Sequence, residues 1–205
     1  MRADDPMTTA DSYSRAERRF ITPLRCLGAR LLGPLVRVLA AMGIPPNAVS
    51  VCQIAVGFGV LLTVRQWPRA ALLLFLLTLL LDVLDGALAR YSNKATRFGM
   101  IVDQYSDHAR EILVVAAMTF GGGLSPLLAV AYALIYPATN LTVLLCNHFG
   151  APLPLALKTY LVTYPAIFCY LWLGWNWLDL GVSISLLLML GTTLGGLLRL
   201  RRVLT

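Results

Sequence analysis

Long apolar runs broken by short polar or turn-rich stretches set the pattern of this chain. The runs approach the roughly 20 residues that carry a helix across a bilayer. They predict helical spans at 48–65, 69–89, 99–120, 124–146, 158–175 and 180–198. Arg65-Gln66-Trp67-Pro68, Gly121-Gly122-Gly123 with Pro126, and Asn147 to Pro154 read as the turns between them. Ahead of the first span, residues 13–44 mix basic and apolar positions. Leu24, Leu27, Leu31, Leu35 and Val38 recur at helical spacing, while Arg15, Arg19, Arg30 and Arg37 share another face. A helix lying in the membrane interface fits this better than a solvated basic leader, with Pro34 bending or dividing it. Gly43, Pro45 and Pro46 close that segment, and Asn47 stands where a helix cap is expected.

The expected fold is therefore an all-α integral membrane protein. Six transmembrane helices in residues 45–205 follow an amphipathic interfacial helix in 13–44 and a flexible polar tail in 1–12. That tail lacks the apolar core of a cleavable signal, and no stretch suggests a separate soluble domain. Composition agrees: 58% of the 205 residues are hydrophobic and only 13% charged. Cys26, Cys52, Cys146 and Cys169 have no paired spacing and read as reduced, space-filling side chains. Fourteen of the 17 Lys and Arg residues fall on the side of the N-terminus, leaving Arg65 and Arg69 opposite and Arg110 within a span. Both termini are accordingly expected in the cytoplasm. Trp172, Trp175 and Trp177 read as an interfacial belt.

Against this apolar background stand Asp82, Asp85, Asp103 and Asp107. A carboxylate in a membrane span is costly and normally faces a protein interior or wet cavity, where it marks function. Four together repel one another unless a cation neutralises them, and oxygen ligands suit a hard ion such as Mg²⁺ or Mn²⁺. On a helix Asp82, Asp85 and Ala89 share a face with Gly86 adjacent; Asp103, Asp107 and Glu111 follow at four-residue steps on the next span. A tight reversal over 91–98 brings the two pairs opposite each other. Gly86 would let a ligand approach the backbone, and it would equally serve close helix packing.

The full register, Asp82-x2-Asp85-Gly86-x2-Ala89-Arg90-x8-Gly99-x3-Asp103-x3-Asp107, resembles the signature of the CDP-alcohol phosphotransferase (CDP-alcohol phosphatidyltransferase) family at every fixed position. The resemblance implies an integral membrane enzyme that moves a phosphatidyl group from CDP-diacylglycerol to a small polar alcohol, releasing CMP. It makes Asp82, Asp85 and Asp103 principal metal ligands. Asp107 joins the metal site and acts as general base. Asp82, Asp85, Gly86, Ala89, Arg90 and Gly99 receive the CDP portion, and Asn47 borders the nucleotide. A CDP-linked lipid, an alcohol acceptor, membrane lipids and a second copy of the chain are the implied partners, with no nucleic acid.

The acceptor is less plainly written. Several relatives carry arginine after the last motif aspartate, where this chain has His108. Arg97, Arg110 and Lys158 are the candidate acceptor contacts, with Asn140, Asn147 and His148 in reach of the same pocket. Transfer from a soluble CDP-alcohol to diacylglycerol is the alternative within the family. A small cation transporter is the alternative from another class, although neither paired repeats nor broken helices are visible. A structural reading makes the acids ion-pair partners of Arg90, Arg97 and Arg110.

Overall fold

The computed structural model describes residues 31–156 and 161–205. Among these residues the elements are α1 (Gly33–Ala41), α2 (Pro46–Thr63), α3 (Pro68–Tyr91), α4 (Arg97–Phe120), α5 (Pro126–His148), α6 (Thr163–Phe168, continued by a π-helical turn over Cys169–Leu173) and α7 (Leu178–Leu204). The described residues contain no strand.

The helix starts follow from local chemistry. Prolines 46, 68 and 126 open α2, α3 and α5 in the first turn, where their missing N–H is not needed. Thr96 opens α4 instead, its hydroxyl accepting from Gly99 N at 2.9 Å. Asp179, in the first turn of α7, accepts the backbone N–H of Ser125 at 2.8 Å and so pins the start of α5 to the start of α7.

Helices α2, α3, α5 and α7 are long and apolar enough to cross a membrane. Helix α4 matches α3 in length, at 24 residues each, but carries the polar side chains of the site. The apolar part of α6 is shorter, Thr163–Leu173. Four expected spans, 48–65, 69–89, 124–146 and 180–198, thus coincide with helices long and apolar enough to cross a membrane. The span 99–120 coincides with the more polar α4, and within 158–175 the described helix covers Thr163–Leu173.

Helix α2 packs against both α3 and α4, which meet each other only sparsely, and α5 packs along α7. The main core, with Val60, Phe75, Met118, Tyr132, Ile167 and Leu178, fills the end of the bundle away from the acidic residues. At that end Tyr170 donates to Gly121 O at 2.7 Å, and the guanidinium groups of Arg65 and Arg69 lie over Phe120 and Trp172. Trp67, Trp172, Trp175 and Trp177 are exposed there, as an aromatic belt requires.

The part of the expected interfacial segment that is described, 31–44, contains α1, with Pro34 in its first turn. Val36 is the buried residue, packed with Val49, Leu84, Ala87 and Leu88, whereas Leu31, Leu35 and Val38 face outward. One apolar edge of α1 therefore docks on α3 and the other is exposed. The basic residues up to Arg30, Cys26 and the polar tail lie outside the described residues.

Lipid tails are as apolar as leucine, so helices in a bilayer are held by close packing and buried hydrogen bonds rather than by hydrophobic burial. The contact of α5 with α7 has this form. Thr139 and Thr193 share a hydrogen bond at 2.9 Å, and a Cβ at Gly196 would run into the Thr142 methyl. Gly196→Ala is expected to force the two helices apart, cost about 1–3 kcal/mol and lower the thermal unfolding midpoint in detergent. Gly191→Ala, with open space around its Cβ, is expected to leave the midpoint in place.

Candidate active site

The C-terminal end of α3 and the N-terminal half of α4 face each other across a gap that α2 closes from behind. Asp82, Asp85, Gly86, Ala89 and Arg90 come from α3, and Gly99, Asp103, Asp107 and Arg110 from α4. The chain reverses between them over Ser92–Thr96, with Asn93 in the left-handed region at φ 53°. A residue tolerant of that conformation suits so tight a turn.

One oxygen from each of Asp82, Asp103 and Asp107 lies within 4.8 Å of the others. Oxygens around a single divalent cation stand about 3–5 Å apart, so this trio fits one hard ion. Asp107 supports the fit, because its Oδ1 is buried and accepts no hydrogen bond. Asp85 is placed differently. It is 3% exposed and accepts from Gln53 Nε2 at 3.1 Å, a contact from α2 that ties one of its oxygens to protein. Asp85 still adjoins Asp103, and Asp82 adjoins Asp107, so all four carboxylates form one cluster.

Beside the cluster opens a cavity of about 190 Å³. Asp85, Gly86, Ala89, Arg90, Gly99 and Asp103 line it, joined by Asn47 and Ser50 from α2 and by Lys94 from the reversal. The two motif glycines keep it open. A Cβ on Gly99 would meet the Asn47 and Thr96 oxygens at 3.2 Å, and one on Gly86 would meet Arg90 Nη1 at 3.4 Å. The Arg90 guanidinium folds back over Gly86 at the wall of the cavity.

Deeper in the bundle, Arg110 is 4% exposed, with Nη2 at 3.5 Å from Asp107 Oδ1 and 3.8 Å from Glu111 Oε2. Its Nε and Nη1 are buried without a hydrogen-bond partner. Glu111 shares the face of Asp103 and Asp107, yet its oxygens go elsewhere, to Tyr132 at 2.6 Å and Tyr164 at 2.9 Å.

Of the other acceptor candidates, Arg97 is exposed at the start of α4 and does not line the cavity, and Lys158 lies outside the described residues. Asn140 donates to Tyr136 O in its own helix at 3.1 Å, and His148 sits edge-on to Phe149 at the exposed end of α5. His108 meets Gln104 at 3.2 Å and lies edge-on to Tyr136.

Gln53, Ser50 and Lys94 escaped the sequence reading, as did Tyr132 and Tyr164. For Gln53 a signal existed: it is the lone amide inside the apolar run of α2. The tyrosines carried none, since aromatic residues in spans are common.

Comparison with known proteins agrees with the geometry. The family model described as CDP-alcohol phosphatidyltransferase matches residues 44–198. The chain is 32% identical over 102 residues to the phosphatidylinositol phosphate synthase of Mycobacterium marinum, covering 48% of this chain and 41% of that protein. It is 38% identical over 64 residues to the archaetidylinositol phosphate synthase of Aeropyrum pernix, covering 31% and 32%. These matches span less than half the length of the curated relatives. The crystal structure of the Mycobacterium tuberculosis phosphatidylinositol phosphate synthase in apo form has the same fold, with a TM-score of 0.65 at 16% identity. That match covers 81% of this chain and 94% of the other.

The oxygen trio makes a direct prediction about ion binding. Asp103→Asn is expected to weaken Mn²⁺ binding, read by electron paramagnetic resonance, by more than about tenfold, the lower range for loss of even an outer partner of a metal site. Unchanged Mn²⁺ affinity in that variant would remove Asp103 from the ligand set.

Proposed function

The chain belongs to the CDP-alcohol phosphatidyltransferase family, and on that premise we propose that it transfers a phosphatidyl group from CDP-diacylglycerol to a small polar alcohol, releasing CMP. The observation that carries this reading is the junction of an acidic cluster with a glycine-floored, cation-rimmed cavity. The cavity takes the CDP moiety, with Arg90 and Lys94 on the diphosphate and Asn47 beside the nucleotide. An arginine fork pairs well with phosphate oxygens. Gly86 and Gly99 give the nucleotide room against the two helix backbones.

Asp82, Asp103 and Asp107, with Asp85 beside them, are the residues to hold Mg²⁺ or Mn²⁺, which when bound screens the diphosphate and stabilises the departing phosphate oxygen. Asp85, held by Gln53, keeps a fixed wall between this cluster and the nucleotide cavity. Asp107 is the general base. The acceptor hydroxyl attacks the phosphorus nearer the lipid, its proton passes to Asp107, and the bond from that phosphorus to the bridging oxygen breaks to free CMP.

For the acceptor we favour a phosphorylated polyol. Arg110 offers two buried donors without partners beside Asp107, and an anionic group on the acceptor would satisfy them. Two curated relatives are named as phosphatidylinositol and archaetidylinositol phosphate synthases, which points the same way.

We also place all six helices α2 to α7 across the membrane, with the acidic cluster on the cytoplasmic side. Arg37, Arg90, Lys94, Arg97, Arg199, Arg201 and Arg202 belong to the cluster's end of the bundle and Arg65 and Arg69 to the other, the asymmetry of a positive cytoplasmic face. The working unit in this reading is a homodimer.

Radiolabelled CMP release from CDP-diacylglycerol tests the assignment. Inositol phosphate or glycerol 3-phosphate is expected to support lipid product, serine, choline and ethanolamine much less, and excess chelator is expected to abolish turnover until Mg²⁺ or Mn²⁺ is restored. Asp107→Asn should lose kcat by about a hundredfold or more while retaining donor binding. Full turnover in chelator would overturn the metal site. CMP release only from a soluble CDP-alcohol with diacylglycerol would exchange donor and acceptor.

A further inference from the structure

We propose that Arg110, locked in place by Glu111, Tyr132 and Tyr164, is a positioning residue that sets the orientation of the Asp107 carboxylate from three helices at once. The proposal rests on Asp107 being the proton acceptor of the reaction.

A charged pair deep in a membrane bundle is costly. Arginine and glutamate together do not repay their lost hydration as well as apolar residues of similar volume would, so stability alone accounts poorly for Arg110 and Glu111. Their geometry points to a division of labour. Both Glu111 oxygens are saturated from outside α4, one by the Tyr132 hydroxyl of α5 and the other by the Tyr164 hydroxyl of α6. Hydroxyl donors to a carboxylate are among the stronger hydrogen bonds. Glu111 is 1% exposed and has no freedom to rotate away.

The two tyrosines are fixed in turn. Tyr132 stacks on Tyr136 with ring centres 5.5 Å apart, and Tyr164 meets Phe75 of α3 edge-on at 5.1 Å. Glu111 is thereby a fixed negative point, and Nη2 of Arg110 lies between it and Asp107. The guanidinium is planar, so the contact with Glu111 at Nη2 restricts the planes it can take. Asp107 Oδ1 has no hydrogen bond, and this guanidinium nitrogen is its ion-pair contact on the bundle side. A carboxylate held on that side turns with Arg110, and small rotations matter when a base must meet a hydroxyl proton in line.

The test removes the two hydroxyls without changing volume. Tyr132→Phe/Tyr164→Phe is expected to lower kcat about tenfold at saturating donor and acceptor, the range for losing outer partners of a functional carboxylate. Donor KM and direct binding of CDP-diacylglycerol should stay near those of the unaltered protein, while the thermal unfolding midpoint falls because the buried Glu111 oxygens lose their donors. In an Arg110→Lys background the same pair should change kcat less than twofold, because the path to Asp107 is already cut. An unchanged kcat in the double variant overturns the proposal. So does a fall in kcat matched by an equal loss of donor binding, the signature of a purely structural network. If the double variant does not fold, Tyr164→Phe alone carries the same reading, with an expected loss of about threefold.

Asp107→Asn separates this idea from the one beneath it. Wild-type turnover in that variant defeats the base assignment and the proposal with it. Impaired turnover that falls a further tenfold on adding the tyrosine pair defeats the positioning role alone.

Discussion

Four carboxylates held close together among apolar helices repel one another, and the architecture around them can be derived from the need to live with that repulsion. Two lie on α3 and two on α4, so each helix carries a tolerable share. The two helices are kept apart, meeting sparsely, while α2 packs on both and holds the gap at a fixed width. Without α2 as a spacer the helices would either close and expel the acids from one another or part and lose the cluster. The gap is therefore the site itself, and under the proposed function a cation held there would offset the repulsion.

Each acid meets a different neighbour, and that divides the cluster by role. Gln53 holds Asp85 against α2. Arg110 stands behind Asp107. Asp82 and Asp103 remain to face inward with Asp107. Chemically identical side chains are made unequal by what approaches them, an amide from α2 at Asp85 and a guanidinium of α4 at Asp107.

Much of this could be read before any coordinates. Proline and glycine placement marked the boundaries of α2 to α5 to within two residues, while α7 runs six residues past its expected end. The register from Asp82 to Asp107 anticipated the acidic cluster, because two helices joined by a short reversal leave little choice of arrangement. Pairwise geometry was beyond reach. Periodicity puts Glu111 in phase with Asp103 and Asp107, but it cannot tell that two tyrosines from 21 and 53 residues further along take both its oxygens. Nor can it separate Asp85 from the other three, since the difference lies in one amide on another helix. In α1, the apolar stripe through Leu31, Leu35 and Val38 was legible, but which edge meets protein was not. Val36, one position off that stripe, is the residue that docks.

The outer surface of the bundle is as rich in leucine as its interior, and the tightest inter-helix contacts fall instead on Gly196, Thr139 and Thr193. This inverts the tolerance to change familiar from soluble enzymes. Outward positions such as Leu73, Leu134 and Leu187 can be exchanged among apolar residues at little cost, since lipid fits any shape presented to it. The small and hydroxylated residues inside admit few replacements. Change is thus accommodated at the periphery and resisted at the helix contacts, so the shape of the reaction centre depends on residues with almost no side chain.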